Sequence, residues 1–84
     1  MALTEEKKTE LLNKLVERLD YTWGTYENTD LKRALDECFG IVRGFTLAVD
    51  TLYGEDVLYT EVGDIWNEYR VKRYHTKLGI YKGE

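Results

Sequence analysis

The stretch Leu31 to Tyr53, LKRALDECFGIVRGFTLAVDTLY, decides the fold. Its apolar residues Leu31, Leu35, Cys38, Val42, Phe45, Val49 and Leu52 recur at spacings of 4, 3, 4, 3, 4 and 3, the period of one face of a helix. Ala34, Ile41 and Ala48 widen that row on one flank, Phe39 and Tyr53 on the other. The apolar sector then spans roughly half the circumference, more than one neighbouring helix covers. A helix of this kind belongs between two partners. Thr29 or Asp30 is placed to cap its start, and Gly54 to cap its end.

Outward from this helix, residues 5–27 read as a first one. Thr4 is the cap, and Glu5 and Glu6 stand where the N-terminal dipole favours acids. Leu12, Val16, Leu19, Trp23 and Tyr26 form its stripe, widened by Leu11 and Leu15, with Lys14, Glu17, Arg18 and Asp20 on the other side. The short polar break Asn28-Thr29-Asp30 makes the first two helices antiparallel neighbours. Downstream, Asp56 is placed to cap a third helix over 57–77, with Leu58, Val62, Ile65, Trp66 and Tyr69 as its apolar side. That pattern decays after Arg70. Gly79 is the stop signal, and Ile80 to Glu84 read as a short loose tail. The chain 1–84 is thus expected to be a single all-α domain, an antiparallel three-helix arrangement. A long helical hairpin whose third helix packs in a dimer is the alternative, and a strand over 69–81 is a minor one.

Composition narrows function mainly by exclusion. The chain has 84 residues, a net charge of -4, one cysteine and no serine, proline or glutamine. Its length leaves no room for a second domain. A lone Cys38 forms no internal disulfide, and with the one histidine, His75, it cannot supply a four-ligand zinc site. No apolar run reaches the ~20 residues that span a bilayer, and the acidic start carries no apolar signal core. A cytoplasmic protein without membrane contact is the expectation. Cys38 falls in the apolar row and reads as a core residue.

Four features stand out as candidate sites. Gly40 and Gly44 lie four apart on the side of the second helix away from the Leu31–Leu52 row, with Leu47 beside them. They cost helix stability, so either the third helix or tail fills the groove, a partner or second copy does, or the glycines are tolerated. Tyr21, Tyr59, Tyr74 and Tyr81 fit no stripe, and surplus tyrosine marks interfaces. Glu61, Asp64 and Glu68 share one face at i, i+3 and i+7. Such carboxylates hold magnesium only if a facing helix completes the set, and Asp36 and Glu37 lie toward the polar side. Charge is split: from Gly44 to Glu68 there are six acids and no Lys or Arg, whereas Arg70, Lys72, Arg73 and Lys77 crowd the end of the third helix. With His75 and the tyrosines, this basic patch could track a phosphate backbone, dock on an acidic protein, or simply offset the helix dipole.

Together these features read as a small non-enzymatic interaction protein: an adaptor, an inhibitor or an assembly subunit, partnering another protein or itself as a homodimer. Small accessory proteins of bacteria and phages have this character. Gly40, Gly44, Leu47, Tyr59 and Tyr74 are its expected contact residues, and no cofactor is called for. The alternative is a nucleic-acid-binding or regulatory protein acting through Arg70, Lys72, Arg73, His75 and Lys77. A second alternative is a small metal-dependent hydrolase built on the Glu61 face.

Overall fold

Local capping chemistry sets the course of the chain in the computed structural model, which describes residues 2–79. The Thr4 hydroxyl accepts the Lys7 N–H at 3.1 Å and opens α1, Glu5–Tyr26. The Asp30 carboxylate accepts the Arg33 N–H at 3.1 Å and opens α2, Leu31–Tyr53. Gly54, at φ 119°, ends α2 in a conformation that L side chains rarely adopt. The third helical stretch runs as α3, Tyr59–Asn67, then a π-helical segment, Glu68–Arg73, then α4, Tyr74–Leu78, stopped by Gly79 at φ 82°. Among the described residues there is no strand. The expected tail, including Tyr81, lies outside them.

Asp56 does not cap the third helix as expected. It sits at φ 59°, and its N–H donates to Asp50 Oδ1 at 3.2 Å. Leu58 takes the cap position without a side-chain bond, so α3 starts at Tyr59 rather than at 57.

α2 lies between two partners. It runs along α1 on one flank and meets α3, the π-helical segment and α4 on the other. The core comprises Leu15, Leu19 and Trp23 of α1, Ala34, Cys38, Val42 and Val49 of α2, and Leu58, Val62 and Tyr69 from the third stretch. The buried side of α1 centres on Leu15 and Leu19, with Leu12, Val16 and Tyr26 only half-buried. Leu52, expected in the α2 row, is more than half exposed. Antiparallel pairing counted from the Leu19–Cys38 contact brings it level with the first turn of α1, where Glu5 and Glu6 offer no apolar cover.

The third stretch is held at both ends by α1. Lys8 Nζ meets Glu61 Oε2 at 2.9 Å near the start, and Lys77 Nζ meets Glu27 Oε1 at 3.6 Å near the finish. The two elements therefore run parallel, as an up-down-up order requires. The hairpin alternative is set aside, because the third stretch folds back onto its own α1 and α2.

Cys38 is a core residue. Its thiol is fully buried, lies 3.7 Å from the Leu19 carbonyl oxygen and is pushed up to about 11 by burial. Protonated and covered, it is not a nucleophile.

Candidate interaction surface

The glycine side of α2 faces water. Among the described residues a Cβ placed at Gly40 or Gly44 would meet nothing within 4 Å, and Leu47 beside them is 70% exposed. Among the described residues the third helix does not fill this side, and the tail, the other expected filler, lies outside them. Gly40→Ala and Gly44→Ala should each stabilise the fold by about 0.5–1 kcal/mol through helix propensity alone. A drop in the urea midpoint of either variant would show that something covers this side.

The basic segment is drawn inward to α1. Tyr69, 1% exposed, donates its hydroxyl proton to Asp20, and Arg73 reaches the same Asp20 Oδ1 at 3.0 Å. Arg73 also bonds Glu68 Oε2 at 3.3 Å and stacks over the Tyr69 ring at 4.4 Å. Burial first, then the bond to Asp20, pushes the Tyr69 hydroxyl above its ordinary pKa. Lys77 bonds Asn28 Oδ1 at 2.7 Å, Lys72 lies 3.9 Å from Glu68, and Arg70 bonds Asn67 Oδ1 at 3.2 Å. His75 lies beside Tyr74. Asp20, expected on the polar side of α1, is thus a tertiary anchor. Tyr74, expected off the core, packs against it.

The π-helical segment accounts for Tyr74. An i→i+5 turn inserts one residue relative to α-helical phase. The N–H of Tyr74 bonds the carbonyl of Tyr69, five residues back, so both tyrosines return to the same interior side.

The Glu61, Asp64 and Glu68 face does not converge on a common point. Glu61 is bound by Lys8, whose hydrogen bond holds its carboxyl below the usual range. Glu68 is engaged by Arg73 and Lys72. Among the described residues no three His, Cys, Asp or Glu side chains come together as metal ligands would.

What the sequence did not disclose is a cleft of about 190 Å³ between the second half of α2 and α3. Val42, Phe45, Thr46 and Val49 form one wall, and Leu58, Tyr59, Val62, Gly63 and Trp66 the other, with Asp50 and Asp56 at the end where the helices join. Gly63 leaves the space open: among the described residues a Cβ there would touch nothing within 4 Å. Trp66 leans on Phe39, with ring centroids 5.6 Å apart, and Arg43 sits over Phe39 at 5.7 Å. Tyr59, one of the expected contact residues, stands on this rim 75% exposed. The glycine in the interior of the third helix was the available signal, since it is a poor helix former where a larger residue would pack.

Comparison with protein-family models, curated proteins and solved structures returned no match. Among the described residues, no helix is long and apolar enough to cross a membrane.

Proposed function

We propose that this chain is a small non-enzymatic protein-interaction protein, an adaptor, inhibitor or assembly subunit, that docks its partner in the α2/α3 cleft. The observation that carries this reading is the cleft itself: open, walled mainly by apolar side chains, and rimmed by exposed aromatic surface at Phe39 and Tyr59. A cavity of ~150 Å³ admits benzene, so about 190 Å³ suits one aromatic or branched aliphatic side chain. Large exposed apolar residues around a concave site are the ordinary signature of an interface core. A cytoplasmic location accords with the free thiol of Cys38. Nucleic-acid binding draws less support, because Arg73, Lys72 and Lys77 already have partners within the chain.

Gly63→Leu tests the reading without threatening the fold, since Gly63 stands mid-helix on the cleft wall with open space in front of it. It should raise the melting temperature by a few degrees, about 1 kcal/mol of helix propensity. Peptides selected from a random displayed library on the wild-type chain should carry an apolar anchor. They should bind the variant ~10–100-fold more weakly, the value of burying one such side chain. Selected peptides that bind both proteins equally would overturn the assignment of the cleft.

A further inference from the structure

We infer that the segment docking in this cleft is cationic: an amphipathic stretch of a partner protein that places Lys or Arg beside its apolar anchor. The inference rests on the reading of the cleft as a docking site and adds the chemistry of the occupant. Asp50 and Asp56 lie in the cleft wall, and Glu55 adjoins them in the α2–α3 connection. Among the described residues none of these three is in an ion pair, whereas the acids facing α1 or the basic segment, Glu61, Glu68 and Glu27, each have a cation.

None of the lining residues is Lys or Arg, and the nearest cation in sequence, Arg43, sits over the Phe39 ring two helical turns before Asp50. The last turn of α2 ends here with no basic residue, so the negative end of its dipole adds to the same field. One Asp50 oxygen accepts the Asp56 N–H, which fixes this carboxylate at the end of the cleft where the helices join rather than leaving it to swing freely. Apolar walls beside fixed acids favour a partner that offers grease and positive charge together. A second copy is a poorer occupant, since its net charge is -4 and it would bring the same acids.

The test uses two synthetic amphipathic helical peptides with identical leucine and tryptophan anchors, one flanked by lysines and one by glutamates. Binding to the full chain is read by fluorescence anisotropy. At ~0.01 M salt, where charges act over about 30 Å, the lysine peptide should bind at least tenfold tighter, and the gap should close near ~1 M. The triple variant Asp50→Asn, Glu55→Gln, Asp56→Asn should remove that gap. It preserves shape, an acceptor at position 50, and a residue at 56 that tolerates positive φ. Gly63→Leu should weaken binding of the lysine peptide ~10–100-fold. If both peptides bind equally and Gly63→Leu weakens both, the cationic occupant is overturned while the cleft stands. If neither peptide binds, or Gly63→Leu leaves binding intact, the cleft falls as well. If the wild-type chain is a dimer that Gly63→Leu makes monomeric, a second copy is the occupant and the inference is wrong.

Discussion

Tyr69→Ala should remove about 3–5 kcal/mol of stability, whereas Tyr69→Phe should cost about 1–2 kcal/mol. Tyr69 carries two separable contributions. Its ring is 1% exposed and meets Trp23 edge-on, with centroids 6.2 Å apart. Its hydroxyl donates to Asp20, which keeps Arg73 as a second partner when the hydroxyl is removed. Truncation to alanine deletes the ring and leaves a cavity between α1 and the third stretch. The phenylalanine variant keeps the ring and loses one hydrogen bond to a carboxylate that water also reaches. An 84-residue chain has about 4–13 kcal/mol in all at ~0.05–0.15 kcal/mol per residue. If the wild-type chain lies near the lower end of that range, the alanine variant is largely unfolded at 37 °C. Urea denaturation followed by far-UV circular dichroism measures both variants. A cost below about 1 kcal/mol for alanine would mean that the third stretch does not rest on this residue.

Leu19→Ala is the second large effect, at about 2–5 kcal/mol. Leu19 is fully buried, and its backbone carbonyl faces the Cys38 thiol where α1 and α2 approach. The α2 residue opposite it, Cys38, is small and fully buried, so it has little side chain with which to fill the space left behind. The cost should accordingly fall in the upper part of the range. Leu47→Ala is the same chemical change on the open side of α2, where the residue is 70% exposed, and should stay within about 0.5 kcal/mol. Equal unfolding midpoints for the two leucine variants would contradict the orientation of α2.

The first two helices were legible because their signals are local. Thr4, Asp30 and Gly54 act within a turn of themselves, and the Leu31–Val49 period follows from α-helical geometry alone. The third stretch resisted reading after Arg70 for a definite reason: its segment Glu68–Arg73 is π-helical, and a search for spacings of three and four cannot follow a turn of five. Tyr74 was lost to the core by that shift. Asp20 escapes a local reading for another reason. Its importance comes from Tyr69 and Arg73, 49 and 53 residues away, and no nearby residue advertises it. The same holds for the basic segment, whose positive charge answers acids on α1. The cleft is harder still, being a space between helices whose only local mark is Gly63.

The bare outer side of α2 has a practical use. Cys38 is shut inside the protein, so a thiol introduced by Gly44→Cys would be the single one facing water among the described residues. A maleimide dye or spin label attached there would sit on the opposite side of α2 from the cleft wall, reporting on an arriving partner without standing in its way.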